Sequence, residues 1–122
     1  MTRKGFDMSN SNLENTMNTA EVTDVANLSG YVDHSIISRT LVKSNSGNLT
    51  CMTFGAGQGL SKHSAPFDAF VLALDGKATI LIDDKGHELK KGEAIIMPAN
   101  VPHAIETKEN FKMLLVMLKD NS

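Results

Sequence analysis

Between residues 36 and 118 the chain alternates short apolar runs with turn-forming residues. "SIISRTLV", "LTCMTF", "AFVLAL", "ATILID", "AIIMP", "HAIE" and "FKMLLVML" are separated by Ser46-Gly47-Asn48, Asp75-Gly76, Lys85-Gly86 and Lys91-Gly92. Runs this short, rich in β-branched and aromatic residues and bounded by Gly, Asn or Asp, predict strands rather than helices. Asp75-Gly76 and the run Asp83-Asp84-Lys85-Gly86 supply residues that tolerate positive φ, as tight hairpins require, so neighbouring strands are expected to be antiparallel. Nothing has the helical periodicity of a βαβ crossover, which argues against a parallel sheet. Many short strands must hide their faces by pairing two sheets or closing on themselves, so the fold class is all-β: a sandwich, a jelly roll or a barrel.

The first 30 residues differ. Polar and without a sustained period, residues 1–30 are expected to form a partly flexible extension, with at most a weak helix or short strand around "AEVTDVANLSGYV", and residues 31–122 to form the β domain. The start lacks the apolar segment of a secretory signal, and no run approaches membrane-spanning length.

A chain of 122 residues matches one domain, and 41% hydrophobic with 21% charged residues is the composition of a soluble globular protein. The net charge of -2 points to neither a nucleic-acid nor an anionic-membrane partner. The single cysteine, Cys51, can form no internal disulfide and sits in an apolar run, so a buried inert thiol and a cytoplasmic, reducing location are expected.

Candidate chemistry centres on two histidines. "GQGLSKHSAPFDAFVLALDG" followed by "GEAIIMPANVPHAIE" resembles the two motifs of the cupin superfamily, as spaced in its small single-domain members. The first motif reads G-x5-H-x-H-x3-4-E-x6-G, and Gly57, His63 and Gly76 stand at its spacing; the second reads G-x5-P-x-G-x2-H-x3-N, matched by Gly92, Pro98 and His103. The resemblance covers roughly residues 36 to 118 and implies an antiparallel cupin-type jelly-roll β-barrel. In metal-binding cupins three histidines and the glutamate converge on a divalent ion. Here Ala65 stands at the second histidine, Ala69 at the glutamate, Asn100 at the second-motif glycine and Thr107 at the terminal asparagine, leaving His63 and His103. Small cupins commonly pair, which implies a homodimer, with "SIISRTLV" as a candidate interface.

Strand alternation puts His63, Ala65 and Ala69 on the interior face of one strand, with His103 arriving from another. Two imidazoles alone make an incomplete divalent site, since zinc and non-haem iron usually take a third protein donor. Asp68 is the candidate third ligand, provided that Pro66 marks a bulge that turns it inward, and Gln58 is a second oxygen donor. The ion would be Mn, Fe, Ni or Zn. Met52, Met97, Met113 and Met117 lie in strand-like runs and could wall an apolar pocket or simply fill the core. The expected pocket is therefore His63, His103, Gln58, Ala65, Ala69, Met97, Met113 and Met117, while His34 and His87 are expected to be exposed. No nucleophile-base pair and no phosphate-binding loop is present, and "GAGQG" lacks the βα setting of a dinucleotide fingerprint. Three functions fit these residues: a small-molecule-binding cupin with the two histidines as polar anchors, a divalent-metal enzyme of oxygenase or isomerase type, or a barrel that serves as a dimerisation module.

Overall fold

Among the described residues nine strands, all paired antiparallel, build two sheets that face each other across one apolar interior. The computed structural model describes residues 17–119. The strands are β1 (Ile36–Ser44), β2 (Gly47–Phe54), β3 (Gly59–His63), β4 (Asp68–Asp75), β5 (Lys77–Ile82), β6 (Lys85–Lys90), β7 (Ala94–Met97), β8 (His103–Glu106) and β9 (Phe111–Leu118). One sheet has the order β1-β2-β9-β4-β7 and the other β3-β8-β5-β6. The all-β, antiparallel architecture expected from the sequence is the one observed. Among the described residues the only helical element is a 3-10 turn, Val25–Asn27, and no helix is long and apolar enough to cross a membrane.

The turns follow from local chemistry. Asp83 and Asp84, the two residues between β5 and β6, have φ of 50° and 66°. Positive φ at both central positions is the I′ geometry, whose twist matches that of the strands it joins, and short Asp side chains tolerate it. Gly76, between β4 and β5, has φ +72°, and a Cβ there would lie 2.1 Å from the Asn110 carbonyl oxygen. Only glycine fits that position.

Inside, Phe54 and Phe111 pack ring to ring with centroids 5.8 Å apart and form the deepest part of the core with Val71, Ile80 and Met113. Register aligns the interior positions across strands: Met52 faces Met113, and Ala69 lies between Met97 of β7 and Met117 of β9. His87 departs from expectation. It is half-buried, two positions before the buried Leu89 and opposite Ile80, so alternation directs it to the interior side of β6.

Residues 24 to 31 run against the outer side of the five-stranded sheet. Arg39 donates to the Leu28 carbonyl, Lys112 donates to the carbonyls of Ala26 and Ser29, and the Tyr31 hydroxyl donates to Asp75. Lys112 is 4% exposed and its ammonium stands 5.0 Å from the Tyr31 ring centroid. A buried ammonium needs such partners, because an unpaired charge away from water is strongly unfavourable. The Tyr31 hydroxyl is held well above its ordinary pKa, first by burial and then by its bond to the Asp75 carboxylate. Residues 1–16, where the expected extension begins, lie outside the described residues.

Candidate functional site

The two motif histidines lie directly opposite each other on neighbouring strands. His63 ends β3, His103 begins β8, and the two are register partners. A bulge makes this possible. Leu60 faces Ile105 and His63 faces His103, so three steps along β3 match two along β8, with the extra residue at Ser61 and Lys62. One inserted residue inverts the inward and outward assignment beyond it. His63 therefore shares the interior side with Leu60, as His103 does with Ile105.

The rings meet edge to face, with centroids 4.5 Å apart and planes at 70°. Each Nδ1 lies within hydrogen-bond distance of a backbone carbonyl two residues earlier in the chain: His63 with Ser61 at 2.8 Å and His103 with Val101 at 3.1 Å. A carbonyl can only accept, so each Nδ1 carries the proton. In the neutral ring this leaves Nε2 as the atom with an available lone pair. His103, 5% exposed, is held neutral because burial lowers its pKa, and the neighbouring His63 lowers it further, against the opposing effect of the Val101 carbonyl. His63 is solvent-exposed, so the pair has one member at the surface and one inside.

Behind the pair is a cavity of about 60 Å³. His63, His103, Leu60 and Ile105 form its wall on the four-stranded sheet, while Ala69, Met97, Met113, Leu115 and Met117 form the wall on the five-stranded sheet. Ala65 also lines it, from the loop between β3 and β4. Of the expected pocket residues the structure gathers His63, His103, Ala65, Ala69, Met97, Met113 and Met117. Met52 packs in the core without reaching this cavity. Leu60, Ile105 and Leu115 were missed. Ile105 and Leu115 could have been found by stepping two residues from His103 and Met113, but the bulge hides Leu60 from any such count.

Three expectations need correction. His63, Ala65 and Ala69 do not share a strand: β3 ends at His63, Ala65 is in a loop, and Ala69 is on β4 in the opposite sheet. The alanine therefore faces the histidines across the cavity. Asp68 does not join the pair. The bulge lies upstream in β3 rather than at Pro66, so Asp68 points away from the buried Ala69 side, is exposed, and accepts a hydrogen bond from the Ala99 N–H at 2.8 Å. Gln58 lies in the turn before β3 and lines a separate polar cleft beside Lys77, Glu88 and Lys108. Its backbone carbonyl accepts a hydrogen bond from the buried Thr107 hydroxyl.

Asn100 shows what replaced the glycine of the second motif. Its φ is 64°, a left-handed conformation that Asn adopts more readily than most residues, and its N–H donates to the Ala65 carbonyl at 2.7 Å. The loop that delivers His103 is thus tied to the loop that follows His63.

The donor set does not fit a resident divalent ion. Ala65 and Ala69 have no donor atoms, Asp68 is turned away, and among the described residues no three His, Cys, Asp or Glu side chains converge. Two imidazoles fall short of the three protein ligands usual for zinc and of the carboxylate usual for non-haem iron.

Comparison with known proteins bears on the same residues. The cupin domain family matches residues 50–118. No curated protein sequence matches the chain. Among solved structures, a conserved protein of unknown function from Streptococcus pyogenes is 35% identical, covers 94% of this chain and 100% of its own, and superposes with a TM-score of 0.84. A cupin 2 conserved barrel domain protein from Leptotrichia buccalis is 43% identical over 77% of this chain but 46% of its own, with a TM-score of 0.75. A cupin superfamily protein from Desulfitobacterium hafniense is 28% identical, covers 90% of this chain and 100% of its own, and gives a TM-score of 0.81. With the family matched over more than half of its 122 residues, and both motif histidines inside that match, the chain belongs to the cupin domain family.

Proposed function

We propose that this cupin binds a compact small molecule at the His63–His103 pair, with the methionine-lined cavity receiving its apolar part. The observation that carries this reading is the fixed tautomer: two imidazoles, each with Nδ1 committed to a backbone carbonyl, leave two Nε2 lone pairs beside an apolar cavity. A few polar groups converging on an apolar concavity are the usual make-up of a small-molecule site. Size limits the ligand. A cavity of about 60 Å³ is far below the ≈ 300–1,000 Å³ of drug-sized pockets, so only a small group enters while the rest stays at the exposed His63 mouth. Because His103 is held neutral, the pair favours a ligand that donates hydrogen bonds, such as a hydroxyl or enol, over a carboxylate.

A fragment screen followed by NMR chemical shifts tests this. Compact hydroxylated fragments should perturb the residues around the pair, and His63→Ala or His103→Ala should weaken binding more than it lowers the thermal midpoint. Fragment binding unchanged in both variants would sink the reading. Stoichiometric Mn, Fe, Ni or Zn retained through dialysis would replace it with the divalent-metal enzyme.

The reading includes a homodimer in the cytoplasm. Among the described residues β1 is an edge strand of the five-stranded sheet, the position at which a second copy would pack, and the fully buried Cys51 suits a reducing compartment. Light scattering that gives only monomer at micromolar concentration removes the dimer.

A further inference from the structure

The cavity is lined by soft donors and by no hard anionic ones. Ala69 holds the place of the motif glutamate, and its register partners on either side are Met97 and Met117. Directly opposed residues in adjacent strands have Cβ atoms about 4.5–5.5 Å apart, so two long thioether side chains flank the alanine on the interior side. This row belongs to the five-stranded sheet and faces the histidine pair of the other sheet across the same small cavity. Two imidazoles and the thioether side chains of Met97 and Met117 thus line one small cavity, with no carboxylate among them.

That donor set selects by charge and by softness. With no anionic side chain lining the cavity, the ion's own charge must be borne by neutral ligands. Born energy rises with the square of charge, so a divalent ion costs about four times as much there as a monovalent ion of equal size. Thioether and imidazole are the ligands that select Cu(I) among biological metals.

We propose that the cavity is a Cu(I) site, with the ion held by Nε2 of His63 and of His103 and by the thioether sulfur of Met97 or Met117. This goes beyond the small-molecule reading while sharing its premise that the two histidines are the polar anchors of the pocket: the ion would take the same two Nε2 lone pairs in place of a hydrogen-bond donor. The anchored Nδ1 atoms supply the second hydrogen bond that orients a metal-binding imidazole. The exposed His63 provides the route by which the ion enters.

The test uses the full chain, freed of metal and kept anaerobic, titrated with Cu(I) against a chromophoric Cu(I) chelator. One ion should bind per chain, and excess Zn(II) should not displace it. The paired substitution Met97→Leu with Met117→Leu keeps the cavity filled and should leave the thermal midpoint of the metal-free protein near wild type, while Cu(I) affinity falls at least about tenfold. X-ray absorption at the copper edge should show sulfur beside nitrogen in the wild type and lose the sulfur in the leucine variant. Absent binding, equal affinity in the leucine variant, or a nitrogen-only shell in the wild type each overturns the proposal. If copper fails while fragments still bind through the histidines, the pocket reading stands alone; if both fail, it falls too.

Discussion

The two sheets use their faces differently. In the five-stranded sheet, β4 ("DAFVLALD") and β9 ("FKMLLVML") are almost continuously apolar. Their inner side chains meet the core, and much of the outer side is half-buried or, like Cys51 and Lys112, covered. In the four-stranded sheet, β5 and β6 alternate: Ala78, Ile80 and Leu89 are buried, while Lys77 and Glu88 face out and pair at 3.7 Å. Continuous apolar runs mark strands covered on both sides and alternation marks a face left to water. The polar half of the pocket comes from the alternating sheet, whose edge strand can present a histidine at the surface. The apolar half comes from the sheet with the more enclosed interior. A change should therefore matter on both faces of the five-stranded sheet but only on the inner face of the other.

The largest effect is expected inside the five-stranded sheet. Phe111→Ala removes a fully buried ring and its partner contact with Phe54, and should cost about 3–5 kcal/mol in denaturant unfolding. A loss below 1 kcal/mol would mean that this end of the core readily collapses, against the close packing expected of it.

On the outer face of the same sheet, Lys112→Met keeps the side chain's length but leaves the Ala26 and Ser29 carbonyls without their donor. The expected loss is about 1–3 kcal/mol. The same change removes a charge that opposes the burial-raised pKa of Cys51, so the thiolate becomes harder to form and any faster reaction with a thiol reagent would report opening of this face alone. Unchanged stability would show that this face is not held shut by Lys112.

For the inner face of the four-stranded sheet the probe is pH. The pKa of His103 is lowered in the fold, so between that value and the ordinary 6.5 the unfolded chain binds more protons and stability rises with pH. Stability should be complete above 6.5 and decline as pH falls below it, with the decline reduced in His103→Gln. Equal slopes in urea titrations of the two proteins would contradict the assignment.

The smallest effect belongs to the outer face of that sheet. Lys62 and Asp84 pair at 2.7 Å, but both are exposed. Asp84→Asn should leave the unfolding midpoint unchanged, because exposed pairs are screened and lose entropy on forming. A clear drop would indicate that this face is covered by something in solution.

Much of this molecule was determined by its sequence alone, wherever neighbouring residues suffice. Most strands follow from short apolar runs, the hairpins from Asp75-Gly76 and Asp83-Asp84, and the convergence of His63 with His103 from motif spacing, but β3, with the sequence GLSKH, has no apolar run to mark it. The methionine wall was legible because Met97, Met113 and Met117 stand in apolar strand-like runs, and the alanines because they hold motif positions rather than because they share a strand with His63. Tertiary structure decided whatever depends on a break in that period or on which sheet a strand joins. The bulge at Ser61 and Lys62 turned His63 inward. The crossing from β3 to β4 placed Ala69 opposite the histidines instead of beside them, and kept Asp68 outside. Register alone set Met97 and Met117 on either side of Ala69. A bulge adds one residue that no local propensity marks, and sheet membership is chosen by burial of the whole strand, so neither can be read from the residues next to it.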